Sequence, residues 1–240
     1  MHAAKVGNAG DVNVTWKQKS REELVPGCEA MSLMEQGPRK KKECVGEGKT
    51  VGLEKKGRKI NSIGKSGGLA LLWSEDVSVD IQTFSYRHIN GVCQTKSMDA
   101  KWKFIGFYGH SETTKRYEAW ELLKFLARLQ PLPWICIGDF NEITTMSEKW
   151  GGGGRNSSQM RNFQQTLESC ELFDLGIRGP KYTWSIGQSG NTLIKERLDR
   201  GFANHDWCNL FPEAEICVEA STNSNHTLLT LCLSGQQRPR

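Results

Sequence analysis

The chain has no C-x-x-C pair and no Cys/His cluster at zinc-ligand spacing, although it carries eight cysteines: Cys28, Cys44, Cys93, Cys136, Cys170, Cys208, Cys217 and Cys232. That scatter excludes a zinc-ribbon framework and reads as reduced thiols of an intracellular protein, several of them in the core. No stretch approaches the roughly 18 consecutive apolar residues of a membrane span, so no membrane partner is expected. The opening MHAAKVGNAGDVNV lacks an apolar segment, which excludes a secretory signal. Gly64-Lys65-Ser66 lacks the glycine of a P-loop five positions earlier, where Lys59 stands. It also continues into the strand-like GGLALLW, whereas a phosphate loop must run into a helix N-terminus.

What is present suits one domain with a tail: 240 residues, 37% hydrophobic and 25% charged, with a formal charge of +5. The positive balance permits an acidic partner such as nucleic acid without demanding one. Much of it lies in RKKKECVGEGKTVGLEKKGRK, Arg39 to Lys59. With so little apolar surface to offset its ordering entropy, the stretch 1–63 is expected to be a disordered basic arm. It reads either as a nuclear-import or nucleic-acid-binding arm or as a solvated linker. The folded domain is expected over 64–234, with 235–240 as a tail.

After Lys65 the pattern changes. Leu69 to Trp73, Val77 to Thr83, His88 to Gln94 and Trp102 to Tyr108 read as strands separated by polar turns, a β-meander. Thr113 or Thr114 is expected to cap a helix running to Leu129, with Ala119, Leu122, Leu123, Leu126 and Leu129 on one face and Pro131 and Pro133 closing it. Met160, Phe163, Leu167 and Cys170 mark a second helix as a core-packing stripe. Strands are expected at Lys181 to Ser185, Glu196 to Phe202, Ala214 to Val218 and Thr227 to Leu233, with a short helix around Asp206 to Leu210. More strands than helices, and hairpins alternating with single helical crossovers, imply two packed sheets with helices outside.

Between the two longer helices lies PWICIGDFNEI, Pro133 to Ile143. Its apolar, β-branched run is a buried strand, and it stops abruptly at Asp139, Asn141 and Glu142. Such a cluster is either a polar turn or a site at the carboxyl end of a strand, where α/β folds place ligands.

The order of YGH (Tyr108 to His110), GDFNEI (Gly138 to Ile143), GPKYTW (Gly179 to Trp184), ERLDR (Glu196 to Arg200) and SNHTLL (Ser224 to Leu229) resembles the endonuclease/exonuclease/phosphatase superfamily. The nearest likeness is to the apurinic-endonuclease-like domain of plant non-LTR retrotransposons, over about Gly64 to Leu233. The resemblance implies an α/β, four-layer sandwich of two mixed β-sheets flanked by helices, and phosphodiester hydrolysis with Mg²⁺ or Mn²⁺. It implies that Asp139 aligns or deprotonates the attacking water, Asn141 binds a phosphate oxygen and Tyr108 hydrogen-bonds the phosphate. His226 is then an acid/base or transition-state donor whose imidazole Asp199 holds. These residue types suit the reaction, which needs an oriented water, neutralised phosphoryl charge and help for the leaving oxygen.

Two departures qualify those expectations. The family's opening strand-helix-strand unit carries an Asn and a metal-binding Glu, and the chain before Gly64 offers no counterpart. Glu43 and Glu47 sit among lysines and glycines, and Asn13 is a weak match for the Asn. The Ser-Asp-His motif here has Asn225 in place of the metal-binding aspartate. Mg²⁺ prefers anionic oxygen, so Asn225 leaves a substituted ligand and weak metal binding is expected. The expected function is a retroelement-derived phosphodiesterase or endonuclease-like domain acting on nucleic acid, DNA foremost, with impaired catalysis and possible nuclear residence. The alternative is a nucleic-acid-binding remnant that uses the basic arm without catalysis.

Overall fold

The computed structural model describes residues 13–18, 55–60, 69–187, 192–219 and 228–233. The central element is a six-stranded sheet ordered β4-β5-β6-β7-β12-β9. Its strands are β4 (Val77–Ser85), β5 (His88–Thr95), β6 (Lys101–Tyr108), β7 (Trp134–Asp139), β12 (Asp199–Ala203) and β9 (Phe173–Asp174). β4, β5 and β6 form the expected meander, and β6 and β7 are parallel. Their crossover is the helix α1 (Arg116–Arg128), since parallel neighbours cannot be joined by a hairpin.

Alternation on these strands makes two cores. Trp102 and Phe104 of β6 and Ile135 and Ile137 of β7 face a second sheet, packing with Leu69, Leu71, Ile216, Leu229 and Leu231. Ile105 and Phe107, with Trp134 and Cys136, face the opposite way onto α1 and α2 (Ser157–Ser169), against Trp120, Leu123, Phe163 and Leu167. Phe140, Phe163 and Phe202 meet there edge to face or tilted, with ring centroids 4.9 to 5.9 Å apart. The layers therefore run helix pair, six-stranded sheet, second sheet: an α/β sandwich as expected, with three of the four expected layers present among the described residues.

The second sheet is ordered β13-β14-β1-β3-β2. It comprises β13 (Glu215–Glu219), β14 (Leu228–Cys232), β1 (Asn13–Gln18), β3 (Leu69–Ser74) and β2 (Lys55–Ile60). All its pairings are antiparallel, so the six-stranded sheet alone is mixed, where two mixed sheets were expected. β1 and β2 correct the reading of 1–63 as wholly disordered: NVTWKQ and KKGRKI join the sheet despite their weak apolar pattern. Backbone pairing explains this, because β14 and β3 present unpaired edges that a segment of any moderate β-propensity can fill. The remaining residues of 1–63, with Glu43 and Glu47, and the tail 235–240 lie outside the described residues.

A small third sheet, β10-β11-β8, pairs β10 (Trp184–Ile186), β11 (Ile194–Glu196) and β8 (Lys149–Trp150). The strand expected over Glu196 to Phe202 is thus divided, with β11 in the small sheet and β12 in the large one. α1 starts later than its threonines suggested: Thr113–Lys115 form a 3-10 turn and no side chain caps the helix. α2 is capped by Asn156, whose side chain accepts from the Ser158 amide at 2.8 Å. The short α3 (His205–Leu210) is capped by Asn204, which also accepts from the Trp134 amide and so ties helix to strand. Among the described residues no helix is long and apolar enough to cross a membrane.

Candidate active site

Three residues of separate motifs stand side by side at the end of the large sheet. In register, Tyr108 of β6 lies opposite Asp139 of β7, and Asp139 lies opposite Asp199 of β12. All three follow the alternation of Phe104, Ile137 and Ala203, so they face the second sheet. They are 6%, 1% and 3% exposed respectively. The first reason that the apolar strand stops at a carboxylate is therefore positional: Asp139 is the last residue of β7, at the rim between two sheets.

Asn141 holds that carboxylate. It adopts a left-handed backbone conformation, φ 56°, which asparagine tolerates better than most residues. The bend lets its backbone amide donate to Asp139 Oδ1 at 2.8 Å while its Nδ2 donates to Oδ2 at 2.9 Å. Nδ2 also donates to the Gly109 carbonyl at 3.1 Å, and the Gly109 amide donates to the Asp139 carbonyl at 2.7 Å. Gly109 must be glycine here, because a Cβ would stand 2.2 Å from the Phe140 carbonyl oxygen. Two motifs distant in sequence, YGH and GDFNEI, thus close on each other through backbone contacts.

Tyr108 is held in its neutral form. Burial is the main cause of its raised pKa, the Asp139 charge adds to it, and Ser111, Asn141 and Arg87 act in the opposite direction. At neutral pH its hydroxyl is a proton donor. Its amide donates to the Arg87 carbonyl at 2.8 Å, which places that arginine beside the row. Asp199 is positioned through Thr183 of the GPKYTW motif: the Thr183 hydroxyl, 1% exposed, accepts from the amides of Leu198 at 3.1 Å and Asp199 at 2.9 Å. That contact lies where the chain passes from β11 to β12.

Glu142 has a different task from its neighbours. It is fully buried between Arg116 and Arg155, the latter at 3.4 Å. Arg155 also bonds Glu196, with Nε 3.1 Å from Oε1, and Lys149 completes the group at 2.7 Å from Glu196. The same Arg155 donates to the Asn141 carbonyl at 3.2 Å, so the ionic frame braces the left-handed turn. A second frame joins Arg200 and Arg197 to Glu148 and Asp174, and Glu148 in turn accepts from the Thr144 amide at 2.7 Å. Burial raises and the arginine partners lower the pKa of Glu148 and Glu196, with a net downward shift in both. Glu148 and Glu196 therefore stay ionised at neutral pH.

Sequence reasoning named Tyr108, Asp139, Asn141 and Asp199, and the structure gathers all four. It missed Thr183, Arg87 and Arg155 as positioning groups. Thr183 was in a quoted motif, whereas nothing local marks Arg155 at the end of WGGGGR. His226 and Asn225 lie outside the described residues, between β13 and β14 of the facing sheet. Among the described residues no group of three or more His, Cys, Asp or Glu side chains is placed to hold a metal ion. The Asp139 oxygens accept from Asn141 and retain lone-pair capacity for a cation, but with no third carboxylate, His or Cys gathered beside Asp139 and Asp199 among the described residues, these residues do not by themselves fit a divalent cation.

No family model matches the chain, and no curated protein matches it in sequence. Solved structures do. The endonuclease domain of TRAS1, a telomere-specific non-LTR retrotransposon, superimposes with a TM-score of 0.58 at 16% identity, over 76% of this chain and 81% of that one. The catalytic domain of Xenopus laevis APE2 gives a TM-score of 0.54 at 11% identity, over 78% of this chain and 79% of that one. The chain has the endonuclease/exonuclease/phosphatase fold. At such identities the likeness is one of fold, and it agrees with the order of motifs along the chain.

Proposed function

We propose that this endonuclease/exonuclease/phosphatase-fold chain is a retroelement-derived phosphodiesterase or endonuclease-like domain that acts on nucleic acid, DNA foremost, with impaired turnover. The observation that carries the reading is the row Tyr108, Asp139 and Asp199 at one sheet rim, with Asn141 clamped onto Asp139. In this reading the Asp139 carboxylate, oriented by Asn141, aligns a water and accepts its proton as the water attacks phosphorus. The neutral Tyr108 hydroxyl donates to a phosphoryl oxygen, where negative charge builds. Asp199, fixed by Thr183, holds the His226 imidazole in one tautomer and favours its charged form, so that it can protonate the leaving oxygen.

Impairment follows from the ligand chemistry. Asn225 offers a neutral carbonyl where an aspartate is expected, and no cluster of anionic ligands gathers among the described residues. A divalent ion contributes several kcal/mol to such reactions, roughly a thousandfold in rate or more, and the domain forgoes most of that.

Nicking of supercoiled plasmid with Mg²⁺ or Mn²⁺ tests the reading, with EDTA, Asp139→Asn and His226→Ala as controls. The expected result is trace nicking at most by the native chain and a gain of tenfold or more in Asn225→Asp. Rapid metal-dependent nicking that His226→Ala abolishes would overturn the impairment. Folded Asn225→Asp protein that neither nicks nor binds DNA would overturn the phosphodiesterase reading itself.

A second reading is favoured by β2, which sets Lys55, Lys56, Arg58 and Lys59 along an edge of the second sheet. Such an edge would serve sequence-independent phosphate contacts without catalysis. Binding of this kind weakens steeply with salt and is indifferent to Mg²⁺, and replacement of those four cations by Gln would remove it.

A further inference from the structure

The sheet that faces the candidate active site carries a pair of thiols with no part in hydrolysis. Cys217 of β13 lies opposite Thr230, and Cys232 of β14 lies opposite Glu215, so the two cysteines are diagonal neighbours across one strand pair. Their sulfur atoms are 3.5 Å apart. Arg178 stands over the pair and donates from Nη2 to Cys217 Sγ at 2.9 Å. Its place is fixed by backbone bonds on both sides of Cys217: the Arg178 amide donates to the Ile216 carbonyl at 2.7 Å, and the Val218 amide donates to the Arg178 carbonyl at 2.9 Å. Arg178 Nε is also 3.1 Å from Glu215 Oε2, which holds the guanidinium plane.

We propose that Cys217 and Cys232 form a redox-responsive dithiol, in which Cys217 meets the oxidant and Cys232 resolves it to a disulfide. Arg178 donates to the Cys217 sulfur, the Cys232 sulfur lies close beside it, and Cys217 is half-buried and reachable. Cys232, beside it on the same face of the strand pair, is buried at 5% exposure, placed to attack Cys217 and shielded from the oxidant. The remaining described cysteines differ. Burial pushes the Cys93 and Cys136 thiols well up and Cys170 up to about 11, so these three are inert thiols of the core, and burial also raises the half-buried Cys208, which has no cysteine neighbour of its own among the described residues.

With a peroxide as oxidant the step balances. The Cys217 thiolate attacks one peroxide oxygen, the O–O bond breaks, and the departing hydroxide takes a proton to leave as water. The sulfenic acid so formed is then attacked by the Cys232 sulfur. An S–S bond forms, the S–O bond breaks, and the hydroxyl leaves as a second water with the Cys232 proton. Two thiols have lost two electrons and two protons, and one peroxide has become two waters. Closing the sulfur gap to a bond of roughly 2 Å needs side-chain rotation and a small strand adjustment. The proposal does not depend on the hydrolytic reading.

The test treats the reduced full chain with hydrogen peroxide, blocks remaining thiols with N-ethylmaleimide and maps peptides without reduction. The expected first product is a Cys217 to Cys232 disulfide. In Cys232→Ser, a dimedone adduct accumulates on Cys217; in Cys217→Ser, Cys232 stays unlabelled. Arg178→Ala slows Cys217 oxidation by roughly tenfold, and Arg178→Lys recovers most of the rate. The proposal is overturned if both cysteines remain alkylatable while other cysteines oxidise, or if the disulfide joins a different pair. An unchanged rate in Arg178→Ala would overturn the activation of Cys217.

Discussion

The six-stranded sheet and the five-stranded sheet achieve stability by different means. In the large sheet β6, β7 and β12 are buried on both faces, between an aromatic helix-side core and the inter-sheet core. Its strands are specified by side chains, and a change of register would misplace every one of them. The second sheet buries side chains of β3, β13 and β14, and β1 and β2, which carry NVTWKQ and KKGRKI, join it by antiparallel backbone pairing. Side-chain packing therefore fixes the half that carries the row of Tyr108, Asp139 and Asp199, and hydrogen bonding completes the half that faces it.

The largest expected effect is in the packed half. Gly138 sits in β7 directly before Asp139, and a Cβ there would stand 1.8 Å from the Phe107 carbonyl oxygen, a backbone atom that cannot step aside. Gly138→Ala should destabilise the domain by more than about 3 kcal/mol, beyond ordinary overpacking, and lower the yield of folded protein. Gly154, whose added Cβ would meet nothing within 4 Å, provides the contrast. Gly154→Ala should change stability by less than about 0.5 kcal/mol. Urea unfolding of the two variants checks both; equal stabilities would mean that β6 and β7 are less closely apposed.

The pairing-dependent half is broken by removing a donor. β1 has β14 on one side and β3 on the other, so each interior amide points at a neighbouring strand. Thr15 lies opposite both Thr230 and Leu72, and Thr15→Pro removes a ladder bond from a central strand. A loss of about 2 to 3 kcal/mol is expected. Hydrogen exchange should locate the damage in β14 and β3 and leave β6 and β7 protected. A variant as stable as the native chain would show that residues 13–18 contribute nothing to the sheet.

This contrast also explains what was legible in the sequence. β3 to β7 and both long helices were readable because apolar period and turn residues agreed at each of them. β1 and β2 were not, since NVTWKQ and KKGRKI carry too few apolar residues to show a period. β8 and β9, two residues each, are too short to carry a period. At the candidate site, the order of motifs singled out Tyr108, Asp139, Asn141 and Asp199, which the structure brings together, and the strand pattern explained why β7 ends where it does. The brace of Arg116, Glu142, Arg155, Glu196 and Lys149 was illegible as a unit, because it joins charges from distant segments, and Arg116, Lys149 and Arg155 each read as solvated surface residues.

The remaining effect is conditional on pH and belongs to the hairpin at the outer edge of the large sheet. His88 is buried at the start of β5, with its Nδ1 2.9 Å from the Ser85 hydroxyl and its Nε2 3.1 Å from that of Thr83. Burial lowers its pKa from 6.5 to about 4. A base with a depressed pKa is held neutral by the fold, so above about pH 6.5 it imposes no cost in either state. As pH falls from there towards 4, the unfolded chain takes up a proton that the folded chain refuses, and stability declines; below 4 both states are protonated and the decline stops. After allowance for the solvent that still reaches the ring, the loss should be on the order of 2 kcal/mol. Urea unfolding at pH 7 and pH 4.5 should show this loss in the native chain and a smaller one in His88→Asn. Equal losses in the two proteins would assign the acid sensitivity to other groups and leave the packed sheet insensitive to pH at this position.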